Sequence, residues 1–140
     1  MFDRILLAVD GSEHALHAAK IAGDLARSII AKEFRIVIAY EPVPAYMGEP
    51  NLQKTIDSRM NESQAIFQEA EKMVGNLPIE VQSEFIEGQI ADAIIDVANT
   101  RHCDLIILGS RGLGRLAGAL LGSNSQKVVS EAPCPVLIVR

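Results

Sequence analysis

The sequence predicts an α/β fold, a single doubly wound sheet of five parallel strands with helices on both faces, with residues 1–140 as one domain. Two observations predict it. Short runs rich in β-branched residues and leucine recur five times, and four of them are apolar on successive residues, as happens when both faces of a parallel strand are covered. Between these runs the apolar period switches to that of a helix burying one side. The resulting order, βαβαβαβαβ, calls for a parallel sheet with right-handed crossovers.

The first strand is RILLAVD (4–10), followed by a helix whose Ala15, Ala18, Ala22, Leu25 and Ile29 step by three and four. His17, Lys20, Asp24 and Arg27 repeat that step on the opposite face. Asp10 and Glu13 make a capping-box-like pair for this helix. The second strand is FRIVIAY (34–40). A long helix over about 52–74 carries Ile56, Met60, Phe67, Ala70 and Val74 as its stripe. The third strand, IEVQSEFIE (79–87), alternates, with Ile79, Val81 and Phe85 on one side and Glu80, Gln82 and Glu84 on the other. That texture predicts an edge strand with one face partly wet. A helix over about 89–100 with Ile90, Ile94 and Val97 leads to the fourth strand, DLIILGS (104–110). A short helix starting near Ser123 and ending before Pro133 leads to the fifth, PVLIVR (135–140). The long loop EPVPAYMGEPN (41–51), with three prolines and a glycine, leaves the carboxyl end of a strand, where open α/β sheets bind ligands.

Composition narrows the function. With 49% hydrophobic residues and only 4% aromatic ones, the chain can build an aliphatic core, and a domain of this length buries roughly 70% of its unfolded surface. Thirteen basic residues against eighteen acidic ones give a formal charge of −5. No basic face forms, which argues against nucleic acid as a partner. Cys103 and Cys134 lie far apart and have no zinc-ligand spacing, so two small buried thiols in a reducing compartment are expected. The amino end lacks a signal-peptide pattern. The apolar run LAGALLG falls short of the about 20 residues a membrane span needs. A cytoplasmic protein without a membrane anchor is expected.

The informative stretch is GSRGLGRLAGALLGSNS, Gly109 to Ser125, which holds five of the ten glycines. One glycine for a turn and one for close packing would explain two of them, but not five. Gly109 and Gly114 have P-loop separation, yet Arg115 and Leu116 stand where a P-loop needs Lys and Ser or Thr. Gly112, Gly114 and Ala117 read GxGxxA, but the next strand ends at Arg140 without the acid that would hold a ribose. What survives is Gly109, two residues, Gly112, nine residues, then Gly122-Ser123.

With this spacing the chain resembles the ATP-binding branch of the universal stress protein family, which carries G-x2-G-x9-G-[S/T] after its fourth strand. The resemblance spans essentially the whole chain and includes ILLAVDGSE, EGQIADAI, DLIILGSRG and PCPVLIVR. It implies a Rossmann-like sheet of order 3-2-1-4-5 that binds ATP or another adenine nucleotide such as AMP. The physics agrees. Gly112 and Gly122 let main-chain amides approach phosphate oxygens. Ser123, Asn124 and Ser125 fall in the first turn of the last helix, where free N–H groups favour an anion, and the two serine hydroxyls can donate as well. Relatives usually have a small apolar residue where Asn124 stands.

The resemblance also implies that Asp10 sits near the ribose and phosphates and helps hold Mg²⁺, with Ala8 and Val9 flanking the nucleotide. It places the main chain of Ala39 at the adenine edge and Leu108 on the purine; plain core packing is the alternative for both. Arg111 and Arg115 can reach phosphates or stand as solvated loop charges. His14 and His17, three apart without a third ligand, read as surface histidines, and His102 lies at the wrong end for the pocket.

The last strand is implied to be a sheet edge, and the family pairs it across a two-fold axis, which implies a homodimer built on residues 135–140. The leading function is a nucleotide-sensing regulator, in which ATP occupancy shifts loop 41–51 or the dimer surface and a partner protein reads the result. The alternatives are a slow ATPase or nucleotidyl-transfer enzyme, disfavoured by the absence of an evident general base or P-loop lysine, and a nucleotide-free dimeric adaptor.

Overall fold

The computed structural model describes residues 1–40, 42–44, 46, 48–111 and 121–140. Five strands alternate with four helices in them: β1 (Arg4–Ala8), α1 (Glu13–Ile29), β2 (Glu33–Tyr40), α2 (Asn51–Val74), β3 (Val81–Glu87), α3 (Ile90–Thr100), β4 (Leu105–Gly109), α4 (Ser123–Glu131) and β5 (Val136–Val139). The sheet order is β3-β2-β1-β4-β5, every pairing parallel. Ile5 stands opposite both Phe34 and Leu105, and Leu7 opposite Ile36 and Ile107.

Because side chains alternate along each strand, this register sorts the core into two layers. Ile5, Leu7, Phe34, Ile36, Ile38, Leu105 and Ile107 meet α1 and α2. Leu6, Ala8, Val37, Ile106 and Leu108 meet α3 and α4. The α1 stripe, Ala15, Ala18, Ala19, Ala22 and Ala26, is buried, and these small side chains let the helix lie close to the sheet. Leu25 and Ile29 only flank the cluster. Gly23 serves a second approach, for a Cβ there would collide with the Val74 carbonyl oxygen of α2.

Three expectations change. Four of the strands are shorter than their apolar runs, β1 stopping at Ala8 and β5 covering only Val136–Val139, while β2 begins one residue earlier, at Glu33. The cap of α1 is Ser12, whose Oγ accepts the Ala15 N–H at 3.2 Å, while Asp10 Oδ1 accepts the Ser12 N–H at 2.9 Å. Asp10 therefore shapes the turn before the helix instead of capping it. β3 is a sheet edge with a partly wet polar side, as expected; on that side Glu84 Oε1 also accepts from Arg35 at 3.1 Å and from Arg101 at 2.9 Å.

The stripe of α2 is buried only in its second half. Ala70 and Val74 are covered, but Ile56 is 36% and Met60 42% exposed. Length supplies the reason, since 24 helical residues extend about 36 Å and a seven-residue strand about 23 Å. Among the described residues no helix is long and apolar enough to cross a membrane.

Candidate functional site

β1 is followed by a crossover on one face of the sheet, and β4 is fed and followed by helices on the other, so their carboxyl ends part into a crevice. A cavity of about 40 Å³ opens there. Eight residues expected from the sequence line it: Ala8, Val9, Asp10, Leu108, Gly109, Arg111, Asn124 and Ser125, joined by Ala15 and Ile90. A wider cleft of about 710 Å³ adjoins it, lined by Ala39, Tyr40, Pro42, Pro44, Gly88, Gln89, Ile90 and Asn124. Ile90 and Asn124 belong to both walls, so the two spaces meet between the starts of α3 and α4. One end of this groove is narrow and floored by strand ends; the other is broad and open.

The narrow end is set by close packing around Gly109. A Cβ on that residue would stand 2.9 Å from the carbonyl carbon and the Cβ of His14, so only glycine lets α1 rest against β4 here. The 2.9 Å hydrogen bond from the Ser125 hydroxyl to the Gly109 carbonyl holds α4 against the same point. That changes the expected role of Ser125. Its side chain is 4% exposed and its proton is given to the main chain, so it fixes the helix start and leaves only its amide for a ligand.

Gly122 is the residue before α4, and its N–H donates to the Ser110 carbonyl at 2.8 Å. It shapes the turn without offering its own amide to the cavity. The first intrahelical bond runs from Gln126 N–H to the Gly122 carbonyl. The amides of Ser123, Asn124 and Ser125 thus form the first turn, where no donor has a partner within the helix. No side chain caps this end among the described residues. Ser123 is exposed and, like Gly122, lines neither cavity. Gly112 and Arg115 lie outside the described residues.

Asp10 brings a carboxylate to the narrow end. Among the described residues no group of three or more His, Cys, Asp or Glu is placed to hold a metal ion. A single carboxylate still suits Mg²⁺, which binds through one or two carboxylates and takes its other oxygens from phosphates and water. His14 and His17 make specific contacts. His14 Nδ1 lies 3.3 Å from Ser110 Oγ, and His17 Nδ1 donates to the Arg140 carbonyl at 2.7 Å.

The residues that sequence reasoning missed are the walls. Pro42 and Pro44 belong to the loop singled out for its length, and Gly88, Gln89 and Ile90 to the quoted EGQIADAI segment, but nothing in either string shows which side chains face the groove. Tyr40 ends β2, next to Ala39. Gly88, at φ 137°, has a turn conformation that favours glycine and leaves open space where a Cβ would be.

The model of the universal stress protein family matches residues 1–140. The universal stress protein in the QAH/OAS sulfhydrylase 3' region of Thermus aquaticus is 45% identical over 140 residues, covering all of both chains. The chain belongs to the universal stress protein family. Solved members share its architecture: UspA from Lactobacillus plantarum aligns with a TM-score of 0.84 at 25% identity, over 99% of this chain and 98% of that one. A universal stress protein in complex with cAMP aligns with a TM-score of 0.69 at 28% identity, over 99% and 97% of the two chains. The five-stranded order read from the resemblance is the family's fold.

Proposed function

We propose that this universal stress protein binds an adenine nucleotide, ATP with Mg²⁺, and acts as a cytoplasmic regulator in the stress response. One observation carries the reading: the uncapped first turn of α4 meets Asp10, Arg111 and the apolar floor of Leu108 and Ala8 at the narrow end of a single groove. A polyphosphate lies at the helix start, where amides and dipole favour negative charge. The base lies toward the broad end, against Ile90, Ala39 and Pro44. Each charge–dipole interaction is worth about 0.3–1 kcal/mol, whereas micromolar affinity needs about 8 kcal/mol. Several amides, the cation and burial of the base therefore act together. The solved relative with cAMP supports an adenine nucleotide as the ligand class.

Self-association is the second part of the proposal. β5 is the last strand of the sheet, Leu137 is 37% exposed, and residues 135–140 pair with those of a second copy. An open edge of this kind is a template for such pairing. Nucleotide occupancy then alters the dimer surface or loop 41–51, and a partner protein reads that change.

Titration calorimetry with ATP, ADP, AMP and cAMP, with and without magnesium, tests the site. Mass spectrometry of ligand released from the purified, denatured protein accompanies it. The expected result is adenine nucleotide near one per chain and a binding heat that Gly122→Val abolishes. Absence of both heat and released nucleotide would leave a nucleotide-free scaffold. Turnover of γ-labelled ATP that vanishes in Asp10→Ala would make the protein an enzyme.

A further inference from the structure

Cys103 and Cys134 are 31 positions apart in the sequence, but the fold brings them to one place at the opposite end of the sheet from the groove. Cys103 follows α3, is 8% exposed and belongs to the core layer beneath α3 and α4; Cys134 is half-buried and packs against that same cluster. The register explains why. Ile106 stands opposite Val136, and its N–H donates to the Pro135 carbonyl at 3.0 Å, so the segments that lead into β4 and β5 lie side by side, Cys103 on one and Cys134 on the other, both outside the strands. Both side chains reach the core layer beneath α3 and α4, and a disulfide forms where two such Cα atoms come within about 4.4–6.8 Å.

We propose that Cys103 and Cys134 form a peroxide-responsive dithiol that closes to an intramolecular disulfide across the β4–β5 seam. The more exposed Cys134 reacts first. Its thiolate attacks one oxygen of hydrogen peroxide, the O–O bond breaks, and the departing hydroxide takes up the thiol proton as water, leaving a sulfenic acid. The Cys103 sulfur then attacks the Cys134 sulfur, the S–O bond breaks, and the hydroxyl leaves with the Cys103 proton as a second water. Two thiols lose two electrons and the peroxide gains them. The bond brackets all of β4, the complete glycine motif and α4.

The surroundings set the pace. Burial pushes the Cys103 thiol up to about 11, reinforced by Cys134, Glu33 and Asp104 and opposed by Arg35. Burial and Asp104 also raise Cys134. Both are therefore thiols at neutral pH. At neutral pH the Cys134 thiolate fraction, and with it the rate of the first step, rises about tenfold per pH unit.

The test treats the full-length protein with graded hydrogen peroxide, counts thiols after denaturation and maps the linked peptides. Wild-type protein should lose both thiols together with the mass of two hydrogen atoms, and recover them under a dithiol reductant. Its thermal midpoint should rise by roughly 5–10 °C. In Cys103→Ser, dimedone should trap a sulfenic acid on Cys134; in Cys134→Ser, the Cys103 thiol should persist. Retention of both thiols in wild type at peroxide levels that oxidise an exposed cysteine peptide overturns the proposal. So does stable sulfenic or sulfonic acid on Cys134 without a link, or linkage between chains. The wild-type arm decides the matter even if a serine variant folds poorly.

Discussion

Ser125 and Gly109 show how single residues set the groove through packing and main-chain bonds as well as by lining it. Removing the Ser125 hydroxyl leaves the Gly109 carbonyl without its donor, a loss of about 1–3 kcal/mol in a buried position. Ser125→Ala should lower the urea midpoint accordingly and weaken nucleotide binding, although the hydroxyl points away from the ligand. Unchanged stability would show that α4 is held otherwise. Gly109→Ala drives a Cβ against His14 and should cost on the order of 1–3 kcal/mol while narrowing the cavity. Asp10→Asn isolates charge from shape, because its amide oxygen still accepts the Ser12 N–H. Calorimetry should find Mg-ATP bound about tenfold more weakly, roughly 1.4 kcal/mol, and ATP with EDTA much less affected. Equal loss in both would remove the cation from Asp10.

At the scale of elements, the proposed assembly rests on β5. Leu137→Lys adds a charge to the exposed edge, which disfavours strand pairing. Light scattering should show a larger monomer fraction at micromolar concentration, with nucleotide binding retained, and an undiminished dimer would move the interface elsewhere. The elements also show how far the sequence could be read. Alternation and 3.6-residue spacing reveal which face of a segment is apolar, so all nine elements and their order were legible. Spacing does not reveal what faces a stripe, and so the exposure of Ile56 and Met60 was not. The start of α1 was misassigned because Asp10 and Ser12 both suit a cap, and only the Ser12–Ala15 bond distinguishes them. At the groove, the resemblance named Ala8, Val9, Asp10, Leu108, Gly109, Arg111, Asn124 and Ser125, which line the narrow end, whereas Gly122 and Ser123 of the glycine motif line neither space. Ile90, Gln89 and Pro44 were not legible, because the crossing of loops over the sheet decides them. The meeting of the two cysteines depends on β4–β5 register, which no local pattern encodes.

For the molecule as a whole, alkaline pH probes the core layer that holds Cys103. Its folded value of about 11 lies above the ordinary 9.0, so the native state holds this proton more tightly than the unfolded chain does. The associated stability is complete below pH 9 and is lost as pH rises through 11, about 3 kcal/mol in all. The difference in unfolding free energy between wild type and Cys103→Ala should shrink by about 2 kcal/mol of this between pH 8.5 and 10.5; a constant difference would mean that water reaches the thiol. At the other end of the sheet, buried Ser110 takes the Gly122 N–H on its carbonyl and gives its own N–H to Val139 at 2.7 Å. One residue is thereby shared by the turn that opens α4 and by the final residue of β5. Any ligand that draws α4 toward itself must tug on the outermost strand. Thermodynamic linkage makes this symmetric: a nucleotide that tightens self-pairing by some factor is itself held tighter, by the same factor, in the paired form.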